Sequence, residues 1–279
     1  MLLASLFYSA GTLFVVLVQS RISVPQIILF RNLFALGLIA PYFLKNREVF
    51  RTKCLKLHVV RGLLAYVNVS LFYLSLRYLN FVDATVLNTT YAFFVPFVSY
   101  FWLKESMPMH IWWAIGLGFL GIILIVQPNW DIFYFGSLVA LCSAITAAFS
   151  FSSVRSLNLK NEPPIRSYFF FYLIGSVIVF PFAIGEWTPP SFEEWIYLFL
   201  LSVSMGINQI LLTKAYQLGP ASYIAPVTYS TIAFAAIMNW VIFNQSIGIG
   251  SLLGSLLIVI GGSLTFYQRK KQEARTTTF

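Results

Sequence analysis

An arginine, Arg31, stands inside the apolar run PQIILFRNLFALGLIAPYFL at residues 25–44. If this run crosses a membrane, a fixed charge there costs about 3 to 10 kcal/mol or more, depending on how far the side chain reaches toward water. The guanidinium could be structural, paired with helix carbonyls or with outer lipid headgroups. It could instead face a cavity and hold an anionic group of a ligand, or a carboxylate gate such as Asp83. Because no acidic residue lies at the apolar centre of any run, both interpretations stay open.

Amide, hydroxyl and phenol side chains recur in the other apolar runs at helical spacing. Thr85, Asn88 and Ser99, for example, share one helix face with Pro96. Polar groups that face lipid are costly, so we expect such faces to turn inward. Single hydroxyls can bond to their own helix and amides can link helices, so a structural role is the alternative. Together with Arg31, the expected binding residues are Asn68, Asn88, Tyr91, Asn208, Gln209, Tyr223, Tyr229 and Ser230.

Two prolines, Pro96 and Pro226, lie within apolar runs. Each removes one backbone hydrogen bond and kinks a helix. We predict that they act as hinges between conformations. The alternative is that they merely fit the curvature of a static bundle.

The sequence pattern does not suggest covalent chemistry. It has no cluster of His, Asp and Glu and no glycine-rich loop for phosphate, and Cys54 and Cys142 lack metal-type spacing. His58 and His110 fall at predicted helix ends, where loop or cap roles are expected. We therefore predict no catalytic residues, no bound metal and no cofactor.

The composition indicates the environment in which these side chains work. The chain is 59% hydrophobic and only 10% charged, whereas about a quarter of the residues in an average soluble domain carry a charge. The net charge of +9 could suggest a nucleic-acid partner, but the basic residues lie in short segments between apolar runs. That distribution encodes membrane topology, so we predict an integral membrane protein that does not bind nucleic acid.

The elements that must position the polar residues are membrane-spanning helices of about 20 residues. Nothing alternates with period two at length, so we predict an all-α fold. Ten runs are long enough: 2–20, 24–44, 59–79, 83–103, 109–127, 133–154, 167–185, 194–213, 221–243 and 247–267.

The positive charges predict the orientation of these spans. With a cytoplasmic N-terminus, 15 of the 18 Lys and Arg residues, Arg61 among them, fall on the cytoplasmic side, and only Arg21 and Arg77 fall outside. This bias follows the positive-inside rule and predicts a multi-pass protein of the inner (cytoplasmic) membrane with both termini cytoplasmic.

The two halves of the chain carry a faint repeat. Tyr78, Thr90, Tyr91 and Trp102 recur at the spacing of Tyr216, Thr228, Tyr229 and Trp240. Five helices per half force the second half into the membrane upside down, as in many secondary transporters. We predict an inverted repeat with a first half at 1–128, a second half at 129–268 and a basic cytoplasmic tail at 269–279.

Two long stretches resemble EamA-type members of the drug/metabolite transporter superfamily: LFYLSLRYLNFVDATVLNTTYAFFVPFVSYFWLKES in the first half and AYQLGPASYIAPVTYSTIAFAAIMNWVIFNQS in the second. Pro96 and the Leu103-Lys104-Glu105 end of its helix fit the family pattern. Arg31 is similar to an arginine that the family often carries in its second helix. The motif Ala-Pro-x-x-Tyr, formed by Ala225, Pro226 and Tyr229, resembles that of a subgroup that contains S-adenosylmethionine uptake carriers. Asn244-Gln245 departs from the family's Gly-Glu.

The resemblance implies a secondary transporter that moves a small organic metabolite by alternating access. S-adenosylmethionine and amino-acid-like or nucleotide-like solutes are the expected substrates, and the aromatic residues offer surfaces for stacking and cation–π contacts. A membrane-embedded lipid-modifying enzyme and a channel-like bundle are the alternatives. We expect no enzymatic activity, with a small-molecule substrate and the lipid bilayer as partners of a monomer or homodimer.

Overall fold

The computed structural model describes residues 1–104, 109–126, 135–219 and 224–244, together with residues 249, 253, 254, 256, 257 and 260. Regular structure in these ranges is helical throughout, with short 3₁₀ helices at Arg47–Phe50 and Ala225–Tyr229. The α-helices are α1 Leu2–Val18, α2 Val24–Lys45, α3 Leu55–Ser75, α4 Phe81–Thr89, α5 Tyr91–Leu103, α6 Met109–Val126, α7 Phe135–Leu159, α8 Pro164–Gly185, α9 Phe192–Gln217 and α10 Ser230–Phe243.

The helices have the length and apolar character of membrane spans, which confirms the predicted all-α membrane class. Six stretches of the described chain are long and apolar enough to cross a bilayer: α2, α3, the α4–α5 pair, α7, α8 and α9. The count of ten spans is confirmed only in part, because most of the last predicted span, 247–267, lies outside the described residues.

Side-chain burial is inverted relative to a soluble protein. Large apolar side chains such as Phe101 and Val177 are 78% and 68% exposed on the outer surface of the bundle. Polar side chains such as Thr12, Gln26 and Asn32 are almost completely buried. This arrangement suits a bundle whose surroundings are lipid, because polar groups there must find partners inside the protein.

The fourth predicted span, 83–103, is interrupted. Helix α4 ends at Thr89 and α5 begins at Tyr91. At the junction the amide of Thr90 donates to the carbonyl of Leu87 at 3.2 Å, and the amide of Phe93 donates to the carbonyl of Thr90 at 2.9 Å. Both bonds span three residues, so the helix tightens there, ahead of Pro96, which lies inside α5.

The helices pack in pairs taken from both parts of the chain. Helix α1 packs on α9, α2 on α8, and α3 on α7 and α8. The contact between α3 and α8 is close: a Cβ on Gly62 would lie 2.6 Å from Cγ2 of Ile174. The missing side chain therefore brings α8 against the start of α3, a packing mode common in membrane bundles.

One end of the bundle is packed shut by apolar side chains. This closed end contains the C-terminal halves of α1, α3 and α8 and the N-terminal halves of α2, α4 and α9. Val18, Ile27, Leu76, Val179 and Leu198 are among the buried residues of its apolar cluster. Free interior space is found toward the opposite end.

Candidate functional site

A cavity of about 70 Å³ lies inside the bundle, away from the closed end. It is surrounded by the N-terminal parts of α1 and α3, the C-terminal parts of α7 and α9, and residues of α2, α8 and the Ala225–Tyr229 segment. The polar and aromatic side chains that line it are Ser5, Tyr8, Arg31, Arg61, Asn68, Phe72, Tyr73, Thr89, Tyr91, Ser150, Phe151, Phe171, Tyr172, Asn208, Gln209, Thr228 and Thr231.

Arg31 of α2 is 5% exposed, and its guanidinium bonds to neutral groups. Nε and Nη2 donate to Oδ1 of Asn32 at 3.1 and 2.8 Å, and Nη1 donates to the hydroxyl of Tyr73 at 3.3 Å. The Ser202 hydroxyl donates to the Arg31 carbonyl at 2.8 Å and so anchors this turn of α2 to α9.

Aromatic rings surround the same guanidinium. Its Cζ lies 5.8 Å from the ring centroids of Tyr73 and Phe171 and 5.7 Å from that of Tyr172. Ring faces attract cations and contribute roughly 2 kcal/mol or more where water is excluded. The rings lower the cost of burying the charge without supplying a counter-ion.

No carboxylate lines the cavity in the part of the chain that the structure describes. Asp83, the possible gate, instead accepts a hydrogen bond from the Asn80 side chain at 2.7 Å. A buried charge without an opposite charge is unfavourable by several kcal/mol. Among the described residues that line the cavity, the Arg31 charge therefore has no opposite charge.

Four more of the predicted binding residues reach the same cavity. Asn68 donates from Nδ2 to the Ser143 carbonyl at 2.8 Å, and Asn208 donates to the Ala4 carbonyl at 2.7 Å. These amides link helices and line the cavity at once. Gln209 and Tyr91 also line it.

Asn88 lies one layer behind the cavity. Its Oδ1 accepts from the Tyr8 hydroxyl at 2.9 Å, and its Nδ2 donates to the Ser143 hydroxyl at 2.8 Å. Asn88 therefore orients Tyr8, which does line the cavity. The Asn88 amide thus joins α4 to α1 and to α7.

The remaining predicted residues lie elsewhere. Tyr229 is buried with its ring centroid 5.4 Å from that of Phe93, and the Ser230 hydroxyl donates to the Val227 carbonyl at 2.8 Å. Neither lines the cavity. Tyr223 lies outside the described residues. Of the predicted hinges, Pro96 is inside α5 and Pro226 belongs to the short 3₁₀ helix before α10.

Sequence reasoning did not select Arg61, Tyr8, Tyr73 or Tyr172 as binding residues. Arg61 counted only as a cytoplasmic charge, yet it is 1% exposed and lines the cavity. Its position in the run HVVRGLLAYV, as the third residue of the predicted span 59–79, was the available signal. The tyrosines carried no such signal, because 15 tyrosines are spread along the chain.

Polar contacts join neighbouring elements at each end of the bundle. Toward the closed end, Nη1 of Arg21 lies 3.3 Å from a carboxylate oxygen of Glu194, and the amide of Thr188 donates to Gln26 at 3.1 Å. Glu194 also caps α9 through Ser191.

The opposite end is held by a buried carboxylate, Glu162, in the connection between α7 and α8. It accepts from the Thr52 hydroxyl at 2.7 Å and from Nη1 of Arg166 at 2.9 Å, and Nε2 of His58 lies 3.5 Å away. Burial opposes ionisation of this carboxyl, but the hydrogen bonds from Arg166 and Thr52 outweigh it and lower the pKa of Glu162. Glu162 therefore joins the α2–α3 connection to α8 as an anion.

The sequence profile of the family described as "EamA-like transporter family" matches residues 1–127 and again residues 134–267. The chain belongs to the EamA-like transporter family. An "S-adenosylmethionine uptake transporter" of Rickettsia bellii is 25% identical over 255 residues, which cover 88% of this chain and 84% of that relative.

Other relatives of this EamA-like transporter carry different solutes in their names. A "Pseudopaline exporter CntI" of Pseudomonas aeruginosa is 24% identical, with coverage of 92% of this chain and 91% of the relative. A "Riboflavin transporter" of Vibrio cholerae is 28% identical, with coverage of 85% and 81%. One solved crystal structure has the same fold, with a TM-score of 0.72 at 17% identity over 97% of this chain and 98% of that one.

Proposed function

We propose that this EamA-like transporter is a secondary transporter that carries a small organic metabolite with an anionic group across the cytoplasmic membrane by alternating access. One observation carries the proposal: the guanidinium of Arg31 is buried on the cavity and bonds to neutral partners, Asn32 and Tyr73. A charge buried without an opposite charge is costly, and an anionic group of a ligand would supply that opposite charge.

The other lining groups fit a solute with an organic body. The rings of Tyr73, Phe171 and Tyr172 offer faces for stacking or for a cationic group, and the amides of Asn208 and Gln209 offer hydrogen bonds. S-adenosylmethionine, amino-acid-like and nucleotide-like solutes have this combination of groups. One relative is named as an uptake transporter and another as an exporter, so the proposal includes either direction of transport.

Alternating access in this proposal takes place between two inverted five-helix halves, 1–128 and 129–268. The packing supports this division. Helix α1, the first of the first half, packs on α9, the third of the second half. In the same way α7, the first of the second half, packs on α3, the third of the first half. The backbone supports it too. The helix irregularity at Thr90 and Tyr91 has a counterpart in the 3₁₀ helix that ends at Tyr229, after Thr228.

The small size of the cavity supports movement. Pockets for organic ligands have volumes of roughly 300–1,000 Å³, whereas this one has about 70 Å³. The bundle must therefore open to admit a solute. With both termini cytoplasmic, as proposed, the closed end faces outward, and the Glu162 contacts lie on the cytoplasmic side.

The test is transport by the purified protein in proteoliposomes with a panel of labelled S-adenosylmethionine, amino acids and nucleotides. Saturable uptake that shows counterflow supports the proposal. Flux that rises linearly with concentration would instead indicate a channel-like bundle. Lipid turnover in detergent without transport would indicate a membrane-embedded enzyme.

Excess S-adenosylhomocysteine serves as the competitor for S-adenosylmethionine in this assay. Liposomes that contain the exposed-site variant Arg51→Ala provide the matched protein control, because Arg51 lies in the α2–α3 connection, away from the cavity.

A further inference from the structure

A second arginine, Arg61 of α3, lines the same cavity. Its side chain is 1% exposed. Nη1 donates to the carbonyl of Ser167 at 2.8 Å, and Nε is buried without a hydrogen-bond partner. A guanidinium has five N–H donors, so a single bond to a carbonyl leaves most of its capacity unused.

Glu162, the buried acid at this end of the bundle, forms no ion pair with Arg61 among the described residues. Glu162 engages Thr52, His58 and Arg166. The described cavity wall therefore holds two guanidinium groups, Arg31 and Arg61, and no carboxylate.

Both guanidiniums contact one ring. Cζ of Arg31 lies 5.8 Å from the centroid of Phe171, and Cζ of Arg61 lies 5.3 Å from it. Two like charges this close to one aromatic side chain repel each other in a medium of low dielectric constant. Phe171 lowers the energy of each cation, but the pair remains without negative charge.

A purely structural role explains part of what is observed. The bond from Arg61 to the Ser167 carbonyl joins α3 to the first turn of α8. A neutral donor would serve that purpose at a lower desolvation cost, because a charge buried without a partner is costly. The unused Nε and the position on the cavity point to a second ligand group.

We propose that Arg61 is a specificity-determining residue that binds a second anionic group of the substrate, so that the preferred solutes carry two, such as two carboxylates or a carboxylate and a phosphate. This inference rests on the proposed transport function. Arg31 takes one anionic group and Arg61 the other, and Phe171 contacts both cations. Solutes with one carboxylate, S-adenosylmethionine included, fill half of this site.

The experiment measures equilibrium binding to the purified protein in lipid nanodiscs with two pairs of compounds. Glutamate and glutamine differ by one carboxylate, and phosphoserine and serine differ by one phosphate. If a pair binds to the wild type, its member with two anionic groups should bind at least about ten-fold more tightly than its partner. This factor is the usual effect of a charge-assisted hydrogen bond.

Three arginine variants locate the effect. Arg61→Gln should reduce the preference within a pair to about two-fold or less, and Arg61→Lys, which keeps the charge, should retain part of it. Arg51→Gln, the same change at an exposed site, should leave the preference intact. A thermal melt without ligand reports whether each variant is folded.

The proposal is overturned if the wild type binds both members of each pair equally, if Arg61→Gln keeps the preference, or if none of the four compounds binds. The wild-type comparison keeps the test decisive even where Arg61→Gln does not fold. Saturable transport combined with an unchanged preference in Arg61→Gln would refute this inference alone. Absence of transport with every compound in the panel would refute the proposed function instead.

Discussion

Asn32 packs directly against the backbone of Gly175: a Cβ on Gly175 would lie 2.8 Å from Nδ2 of Asn32. The same Asn32 accepts two hydrogen bonds from the Arg31 guanidinium. The position of the buried charge on α2 thus depends on how closely α8 approaches. A binding group is positioned here by packing between two helices.

The first prediction concerns this contact. Gly175→Ala should displace Asn32 and turn the Arg31 guanidinium away from the cavity, so we expect transport to fall about ten-fold, by the usual worth of a charge-assisted bond. Initial rates in proteoliposomes measure it. Gly37→Ala on α2 is the control, because no atom lies within 4 Å of a Cβ there. Full activity of Gly175→Ala would show that the contact does not position Arg31.

The second prediction concerns Arg31 itself. Arg31→Ala should abolish saturable uptake while the protein is still expressed and inserted, because the cavity loses the charge that holds the substrate. Arg31→Lys should retain a small fraction of the activity, since an ammonium cannot bond to Asn32 through two nitrogens. Arg51→Ala should transport normally. Wild-type rates in Arg31→Ala would return this arginine to a structural role.

The third prediction concerns Tyr8. Tyr8→Phe removes the donor to Asn88 and leaves a buried amide oxygen unsatisfied, which costs about 1–3 kcal/mol. We expect a lower thermal midpoint and an altered KM, because Tyr8 also lines the cavity. Tyr100→Phe at an exposed site is the control. A Tyr8→Phe protein identical to the wild type in both measurements would contradict the assigned role.

The fourth prediction concerns the pH dependence of stability at Glu162. The folded-state pKa of this carboxyl is below its ordinary value of 4.5. Its stabilisation is therefore fully present above pH 4.5 and is lost as the pH falls from there through the folded-state pKa. Glu162→Gln should lower the thermal midpoint near neutral pH, where it breaks the contacts to Arg166, Thr52 and His58.

The measurement is the difference in thermal midpoint between the wild type and Glu162→Gln at pH 7 and near pH 3.5. The difference should shrink at the lower pH, because the carboxyl of the unfolded wild type binds a proton below its ordinary pKa of 4.5, which favours unfolding. Glu48→Gln, at an exposed side chain on the same side of the bundle, is the control. A difference that stays constant or grows on acidification would contradict the assignment.

The fifth prediction concerns orientation. Cys54 precedes α3 at the proposed cytoplasmic end, whereas Glu186 follows α8 at the closed end. A membrane-impermeant maleimide should label Cys54 only after the membrane is opened. In a Cys54→Ser background, a Glu186→Cys variant should be labelled in intact cells. The reverse pattern would place the closed end in the cytoplasm and invert the proposed topology.

The sequence by itself determined the environment, the helices and the main candidate group. Length and apolarity are local properties, so α2, α7, α8 and α9 lie within a few residues of the predicted spans. Arg31 stood out because an isolated charge in an apolar run is costly, but the sequence left open whether it reaches headgroups, helix carbonyls or a cavity. Asn68, Asn208 and Gln209 were found on the same grounds.

Only the tertiary structure decided which faces turn inward. These helices are apolar on most sides, so their sequences specify rotation about the helix axis weakly. Packing through Gly62 and Gly175 sets that rotation, places Arg61 in the cavity wall beside Phe171 and puts Asn88 behind Tyr8. The break at Thr90, between α4 and α5, was likewise not predicted from the sequence, which indicated one continuous span at 83–103. Distances between helices are a property of the assembled bundle, and one sequence read span by span does not contain them.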